Sequence, residues 1–200
     1  MLNKPFAESC EQNKQVILDV LQQTFADNRH VLEIGSGTGQ HAVFFAQYLT
    51  QLVWQCSDRS ENLPGIKNWL DEAGLGNTPP AIELDVLDSN WPALIVDAVF
   101  SANAVHIMGW SAVESMFTGI DKVLEKNGLL SLYGPFNYRG SYSSESNARF
   151  DQWLKTRNPQ SGIRDFEALD QLANNIGLRL VNDYEMPANN RILVWKKDLL

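Results

Sequence analysis

The sequence is poor in the residues that build disulfide frameworks, metal centres and nucleic-acid surfaces. Its two cysteines, Cys10 and Cys56, are too few for a disulfide framework and lack the paired spacing of metal ligands, so we expect no bound metal. Lysine and arginine number 16 against 24 acidic residues, which gives a net charge of −8. Because affinity for nucleic acid comes largely from basic residues that neutralise phosphates, we expect no nucleic-acid partner.

Long apolar runs are also missing. No stretch approaches the roughly 18 apolar residues that a membrane-spanning helix needs, and residues 1–6 lack the apolar core of a signal peptide. Together with the cysteine usage, this predicts a cytoplasmic location without membrane attachment. With 200 residues, 44% of them apolar, the chain has the size and composition of one soluble domain, which we expect to span residues 1–200.

One stretch, Val31 to Gln40, reads V-L-E-I-G-S-G-T-G-Q. Residues with strand preference lead into three glycines that alternate with Ser36 and Thr38, and apolar residues then recur at helical spacing. This pattern predicts a strand that turns tightly into a helix, where free backbone N–H groups and the helix dipole face a ligand. Glycine lets that ligand approach the backbone closely. The stretch is therefore predicted to hold a cofactor.

Segments of strand and helix character alternate along the chain. Strands are predicted at 31–34, 52–56, 81–86, 97–102, 129–133, 178–185 and 191–196. Helices are predicted at 16–25, 39–49, 63–73, 113–124, 150–154 and 166–176, and Gly128 is predicted to cap the fourth. The alternation predicts an α/β fold: a Rossmann-like, doubly wound, mostly parallel seven-stranded sheet to which a C-terminal hairpin adds one antiparallel strand.

Ligands of such sheets bind outside the carboxyl ends of the strands, so residues that directly follow strands are the site candidates. These are Gly35 to Gly39, Asp58, Asp85, Asn103 to His106 and Gly134 to Tyr138. If strand 178–185 runs parallel to the others, the turn at Pro187 to Asn190 lies at the same edge. Its two asparagines, Asn189 and Asn190, tolerate positive φ angles.

Two common phosphate-binding loops do not match the glycine turn. The dinucleotide pattern G-x-G-x-x-G requires glycine or alanine where this chain has Gln40. A Walker-type loop requires Gly-Lys-Ser or Gly-Lys-Thr, which does not follow. The pattern is instead E-x-G-x-G-x-G, beginning at Glu33.

In this pattern the sequence resembles the class I S-adenosylmethionine-dependent methyltransferases, whose first motif is a hydrophobic residue, an acid and three alternating glycines. Glu33, Gly35, Gly37 and Gly39 match that motif position by position. The resemblance implies S-adenosyl-L-methionine as the cofactor, with its methionine moiety in the turn that also contains Ser36.

The same resemblance implies contacts for the rest of the cofactor. Asp58 would accept hydrogen bonds from the two ribose hydroxyls, and Asp85 with Val86 would contact the adenine. Asn103 would line the methionine side. For Asp85 the alternative is that it only caps a following turn.

Further motifs resemble a domain-of-unknown-function family of small methyltransferase-like proteins over nearly the whole chain. They are N-K-P-F at 3–6, E-x-N-K at 11–14, A-N-A-V-H-I at 102–107, L-Y-G-P-F at 132–136, S-E-S-N at 144–147, G-I-R-D at 162–165 and M-P-A-N-N at 186–190. One departure is that alanines flank Asn103 where isoleucine and methionine are expected. The resemblance implies a cofactor class and no particular acceptor.

Methyl transfer from a sulfonium is an in-line displacement, so the protein must position a nucleophile and, where needed, remove its proton. His106 is the candidate general base because it is the one histidine predicted at the ligand edge, and Tyr133 is a candidate for orienting the acceptor. For both, a purely structural role is the alternative. Tyr138, Asn189 and Asn190 are predicted to contact the acceptor.

The sequence favours an S-adenosylmethionine-dependent methyltransferase that acts on a small molecule, and it does not predict an oligomeric state. The first alternative is a non-catalytic module that binds the same cofactor and acts through a protein partner. The second is an NAD-dependent oxidoreductase, which Gln40 disfavours. Residues 137–147 are predicted to form either a lid or a solvated loop, and residues 4–14 are expected to be disordered unless they fold over the cofactor.

Overall fold

The computed structural model describes residues 4–198, so Asn3 of the N-K-P-F motif lies outside the described residues. The helices are α1 (Glu8–Thr24), α2 (Gln40–Tyr48), α3 (Leu63–Ala73), α4 (Trp110–Val123), α5 (Glu145–Arg157) and α6 (Phe166–Asn175). The strands are β1 (His30–Ile34), β2 (Val53–Asp58), β3 (Ile82–Glu83), β4 (Val96–Ala102), β5 (Leu124–Gly134), β6 (Phe136–Asn137), β7 (Arg164–Asp165), β8 (Leu178–Met186) and β9 (Asn190–Lys197). Within this range, no helix has both the length and the apolar character that crossing a bilayer requires.

Seven of these strands form one sheet in the order β3-β2-β1-β4-β5-β9-β8. Neighbouring strands from β3 to β5 are parallel, whereas β9 runs antiparallel to both β5 and β8. The strand β8 therefore points the same way as β1 to β5, and the turn after it lies at their carboxyl edge. The predicted fold class, a mostly parallel, doubly wound seven-stranded sheet with one antiparallel hairpin strand, is confirmed.

The chain order reverses at β1, which lies between β2 and β4. Successive strands run outward from β1 to β3 and then outward on the other side from β4. A crevice opens at the carboxyl edge of such a reversal because the connections leave in opposite directions. The glycine turn follows β1 and Asn103 follows β4, so the topology places both at this crevice.

Two apolar layers enclose the sheet. On one face, residues of α1, α2 and α3 such as Leu21, Phe45 and Ile66 are fully buried; on the other, α4 and α6 contribute residues such as Phe117 and Leu169. Because successive strand residues point to opposite faces, Val31 joins the first layer while Leu32 and Ile34 join the second. Glu33 therefore faces the layer of α1, α2 and α3.

Two predicted boundaries are wrong. The third strand was expected at 81–86, but β3 has two residues because Asp85 starts a turn in which its carboxylate accepts a hydrogen bond from the Leu87 N–H at 3.0 Å. Gly128 does not cap α4, which ends at Val123 and passes directly into β5. It lies beside Asn127, which has a φ of +64°, at a shift in the β4–β5 register. Gly128, which was predicted to end a helix, thus lies at an irregularity within β5.

Two helices are longer than expected. The structure extends the predicted helix at 150–154 to Glu145–Arg157, where the Ser144 hydroxyl caps it by accepting a hydrogen bond from the Asn147 N–H at 3.1 Å. The first helix begins at Glu8 instead of residue 16, because its polar N-terminal turns pack against the start of α2. Residues 4–14 are therefore ordered, contrary to the default expectation.

Candidate functional site

The glycine turn is built from three residues in left-handed backbone conformations. Gly35, Gly37 and Gly39 have φ angles of +75°, +59° and +89°, which side-chain-bearing residues rarely adopt. The N–H groups of Gly35 and Ser36 both donate to the Ser57 carbonyl at 3.0 Å, so the turn is fastened to the end of β2. The sequence motif thus corresponds to a turn whose shape depends on glycine.

Asp58 joins the turn to the next helix. Its Oδ2 accepts a hydrogen bond from the Gly37 N–H at 2.7 Å, and its Oδ1 accepts one from the Asn62 amide at 2.8 Å. The Arg59 N–H donates to the same Oδ1 at 2.8 Å. Both carboxylate oxygens of this buried side chain therefore have partners within the protein. The ribose contact predicted for Asp58 would add to these bonds.

Glu33 lies beneath the turn and does not line a cavity. It is 1% exposed, and its Oε2 accepts a hydrogen bond from the Trp54 indole N–H at 3.1 Å. Burial raises the pKa of Glu33 to about 7, and the nearby charge of Asp58 adds to this rise. The structure thus places Glu33 as a support for the turn.

A first cavity of about 400 Å³ opens above the glycine turn. It is bounded by the turn, the start of α3, the end of β4 and the N-terminal segment. Its lining residues are Pro5, Ala7, Ser9, Cys10, Gly35, Ser36, Gly37, Thr38, His41, Glu61, Asn62, Gly65, Ala102 and Asn103. Of the predicted cofactor residues, four line this cavity: Gly35, Ser36, Gly37 and Asn103.

The N-terminal segment, residues 4–14, forms one wall of the first cavity. The Trp69 indole N–H donates to the Pro5 carbonyl at 2.7 Å, and the Ala7 N–H donates to the Gln40 side-chain oxygen at 2.6 Å. Gln40 in turn donates from its amide nitrogen to Glu11 at 2.9 Å. Gln40, which stands where the dinucleotide pattern requires glycine or alanine, therefore holds this segment in place.

A second cavity of about 830 Å³ adjoins the first, and Ser9 and Asn103 line both. It is bounded by α1, the β4–α4 connection, the end of β5, α5 and the β8–β9 turn. Its other lining residues are Gln12, Asn13, Val16, His106, Ile107, Tyr133, Pro135, Ser146, Asn147, Phe150, Trp153, Leu154, Arg157, Asn158, Ser161, Pro187, Ala188, Asn189 and Asn190.

His106 and Tyr133, the predicted catalytic residues, both line the second cavity. His106 is buried, and its Nδ1 has no hydrogen-bond partner among residues 4–198. Burial, followed by the positive charge of Arg164, lowers the pKa of His106 to about 4. The Tyr133 hydroxyl is hydrogen-bonded to Asn13, whose Oδ1 lies 2.7 Å from the His41 Nε2, and burial raises the pKa of Tyr133.

Of the three predicted acceptor-binding residues, two line the second cavity and one does not. Asn189 and Asn190 line the second cavity, but only Asn189 has a positive φ, and Ala188 takes the other left-handed position that was expected of Asn190. Tyr138 lies outside the cavity: its hydroxyl donates to Asp183 at 2.8 Å, and its ring stacks on Phe166.

The stretch 137–147 does not lie over the site as one lid. Only its last two residues, Ser146 and Asn147, line the second cavity. Its middle is held at the surface, where the Arg139 N–H donates to the Glu167 carboxylate at 3.0 Å and 3.1 Å.

The predicted adenine residues lie apart from the first cavity. Asp85 caps its own turn, as the alternative interpretation expected. Val86 is 7% exposed and lines a different groove, of about 350 Å³, beside Trp91 and α4. In residues 4–198 no group of three or more histidine, cysteine, aspartate or glutamate side chains is placed to hold a metal ion.

Several lining residues were not identified from the sequence. Phe150, Trp153 and Leu154 fit a helical spacing, which was interpreted as packing rather than as a cavity wall. Asn62 lies shortly after β2, so its position near the carboxyl end of a strand could have identified it, as it identified Asp58. Asn13 lies in the E-x-N-K motif. The sequence thus contained patterns that could have identified Asn62 and Asn13. It contained none for the orientation of α5, which makes Phe150, Trp153 and Leu154 part of the cavity wall.

Structures of methyltransferases share this architecture. An O-methyltransferase family protein from Burkholderia thailandensis matches with a TM-score of 0.84 and 15% identity, over 96% of this chain and 58% of that one. Human N-acetylserotonin methyltransferase in complex with S-adenosylmethionine matches with a TM-score of 0.77 and 13% identity, over 96% and 53%. An O-methyltransferase family 2 protein from Planctomyces limnophilus in complex with apigenin matches with a TM-score of 0.74 and 13% identity, over 92% of this chain and 61% of that one.

The chain thus spans little more than half the length of these proteins. At such identities the likeness establishes a common fold, that of the class I S-adenosylmethionine-dependent methyltransferases. The sequence profile of the family described as protein of unknown function (DUF938) matches residues 4–197, nearly the whole chain. Both resemblances noted in the sequence are therefore confirmed, and the chain belongs to the DUF938 family.

Proposed function

We propose that this protein is an S-adenosylmethionine-dependent methyltransferase that acts on a small molecule and that residues 1–200 form its single domain. The observation that carries the proposal is the pair of adjoining cavities at the carboxyl edge, which meet at Ser9 and Asn103. Methyl transfer needs a cofactor and an acceptor side by side, and both volumes lie within the roughly 300–1,000 Å³ of small-molecule sites.

The composition of the first cavity suits a cationic cofactor better than a phosphate-bearing one. Among residues 4–198, no lysine or arginine lines it, whereas Glu61, which pairs with Arg59 at 2.7 Å, supplies a carboxylate and Asn62 and Asn103 supply amides. A sulfonium and an ammonium group are compatible with this wall, while a pyrophosphate would lack a cationic partner. When bound, S-adenosylmethionine would supply an electrophilic methyl group, and the turn from Gly35 to Gly39 would hold it.

Asn103 is the side chain best placed to orient groups across the two cavities. Its φ is +57°, a left-handed conformation that is maintained by a hydrogen bond from its own N–H to the Tyr133 carbonyl at 2.8 Å. Strained backbone of this kind persists where the surrounding structure fixes it, and it is frequent at active sites. We assign to Asn103 the alignment of acceptor and methyl donor.

His106 is assigned the proton transfer. S-adenosylmethionine would supply the methyl group and take up the electron pair of its carbon–sulfur bond, and the proton released by the acceptor would pass to the His106 imidazole. The lowered pKa keeps the ring neutral at ordinary pH, so one ring nitrogen would carry a lone pair for this proton. The Nδ1, which has no hydrogen-bond partner among residues 4–198, is itself buried.

Calorimetric titration with S-adenosylmethionine, S-adenosylhomocysteine and NADH tests the cofactor assignment. We expect the first two to bind and NADH not to bind. A screen of metabolite extract with methyl-labelled cofactor should then reveal a labelled small molecule. Binding of NADH alone would overturn the proposal, and cofactor binding without any labelled acceptor would support the non-catalytic module.

With an acceptor identified, His106→Gln should lower kcat by on the order of 100-fold, the usual contribution of a positioned general base. Because the base acts only when deprotonated, its lowered pKa should move the acidic limb of the kcat–pH profile to about pH 4. The matched control is His30→Gln, since His30 is exposed at the start of β1 on the opposite edge of the sheet. An unchanged kcat in the His106 variant would exclude this role.

A further inference from the structure

The second cavity has an unusual charge distribution for so acidic a protein. The chain carries 24 aspartates and glutamates and a net charge of −8, yet among residues 4–198 no acidic side chain lines this cavity. No lysine lines it either, and Arg157 is the one permanently charged group in its wall. The remaining polar groups are amides, hydroxyls and the neutral His106. A cationic ligand would meet no carboxylate here, whereas an anionic one would meet a guanidinium.

One face of α5 combines this guanidinium with aromatic rings. Phe150, Trp153 and Arg157 lie at positions i, i+3 and i+7, which share one side of a helix. The rings of Phe150 and Trp153 stack at 5.7 Å between centroids, and the Arg157 guanidinium lies 4.1 Å from the Trp153 ring centroid. Trp153 is 47% exposed, which is high for the largest apolar side chain. The face therefore offers an exposed aromatic surface with a positive end.

Arg157 has no carboxylate within ion-pairing distance in the described part of the chain. By contrast, Arg191 bonds to Asp183 at 2.7 Å, and Arg149, on the same helix, pairs with Glu145 at 3.8 Å. Arginine stacked on an aromatic ring keeps its planar set of donors available for a carboxylate.

The helix that carries this face is held firmly. Asp151, which is 1% exposed, accepts hydrogen bonds from the Ile163 N–H and the Tyr142 hydroxyl, both at 2.7 Å. Lys155 donates to the same carboxylate at 2.6 Å. Fixed supports of this kind keep a binding surface in one position, which reduces the entropy lost on binding.

From these features we infer that the second cavity binds a planar, conjugated carboxylate, whose ring system lies along Phe150 and Trp153 and whose carboxylate pairs with Arg157. The inference rests on the proposed function for its reaction: the methyl acceptor is the group that such a molecule presents at the other end, next to His106. Phe150 contacts the His106 ring at a centroid distance of 5.4 Å. The rings of Phe150 and Trp153 therefore lie between the acceptor group and the carboxylate.

The test uses 6-hydroxy-2-naphthoate as the probe and its neutral carboxamide as the comparison, both titrated calorimetrically into the full chain saturated with S-adenosylhomocysteine. We expect the carboxylate to bind at least about tenfold more tightly than the amide, because it forms charge-assisted hydrogen bonds. Arg157→Gln should remove this preference, and Trp153→Ala should weaken both ligands.

Arg149→Gln is the matched control, because Arg149 lies on α5 but does not line the cavity. It should retain the full preference for the carboxylate, and unfolding temperatures of the two arginine variants should agree. Equal binding of naphthoate and amide, or equal losses in the two arginine variants, would overturn the inference.

The outcomes separate the inference from the proposed function. Methyl transfer to acceptors without an anionic group, unaffected by Arg157→Gln, would overturn the inference and leave the methyltransferase proposal standing. Carboxylate binding that depends on Arg157, in a protein that does not bind S-adenosylmethionine, would support the inference and overturn the methyltransferase proposal. That second case is measured by repeating the titration without S-adenosylhomocysteine.

Discussion

Replacing Asp58 with alanine should lower the affinity for S-adenosylmethionine by on the order of 100-fold or more, because the two hydrogen bonds predicted from the ribose hydroxyls to this carboxylate would each contribute roughly 1.5–3 kcal/mol. The substitution removes the acceptor of the Gly37 N–H and that of the Asn62 amide. Without them, the turn and the start of α3 are no longer held at the distance that defines the first cavity. Calorimetric titration measures the loss directly.

Asp97 provides a matched control for this substitution. Its carboxylate also accepts two backbone N–H groups, those of Arg29 at 2.7 Å and His30 at 2.8 Å, but it does so at the start of β1, on the opposite edge of the sheet. Asp97→Ala should lower the free energy of unfolding and leave the cofactor affinity unchanged. If the two alanine variants lost the same affinity, Asp58 would be a general stabilising residue without a role in the site.

Alanine substitutions at two glycines of the turn should also have large effects. The substitution at Gly39 should mainly lower stability, and the one at Gly37 should mainly lower the affinity for the cofactor. A Cβ at Gly39, where φ is +89°, would lie 3.2 Å from the Ile66 Cα and 3.3 Å from the Trp69 Cβ. Neither atom can move without shifting α3, so Gly39→Ala should lower the free energy of unfolding by roughly 2–3 kcal/mol. Denaturation in urea measures this change.

At Gly37 a Cβ would meet no atom within 4 Å, so Gly37→Ala should cost only about 1 kcal/mol for the left-handed conformation. Because Gly37 lines the first cavity, the added methyl group should reduce the affinity for S-adenosylmethionine more than it reduces stability. A Gly37 variant that binds the cofactor normally would show that the ligand does not approach the turn.

The sequence predicted the fold class, and it predicted a candidate site at the carboxyl edge of the sheet, because both inferences depend on local patterns. Strand and helix periodicities predicted the α/β order, and the motif from Glu33 to Gly39 predicted a ligand-binding turn after the first strand. The strand order, with its reversal between β1 and β4, was not predicted. The role of individual polar residues depended on side-chain direction. The turn motif did not reveal that Glu33 faces the apolar layer beside Trp54. It also did not reveal that both carboxylate oxygens of Asp58 accept hydrogen bonds from the protein itself.

Long-range contacts account for the remaining differences. Tyr138 turns away from the second cavity because Asp183, 45 residues further along the chain, accepts its hydroxyl hydrogen bond. The aromatic residues of α5 fit a buried helical stripe equally well as a cavity wall, and only their placement beside His106 distinguishes the two. Neither relation has a local sequence signal.

The N-terminal wall of the first cavity affects how a ligand would enter and leave that cavity. Side chains of α2 and α3 fasten this wall: Trp69 and Gln40 hydrogen-bond to it, His41 contacts Asn13, and Glu72 pairs with Lys4 at 2.7 Å. In the proposed methyltransferase, the cofactor product would lie against this wall, and detachment of residues 4–14 would speed its release. By linkage, the apparent affinity scales with the fraction of molecules in which the wall is fastened.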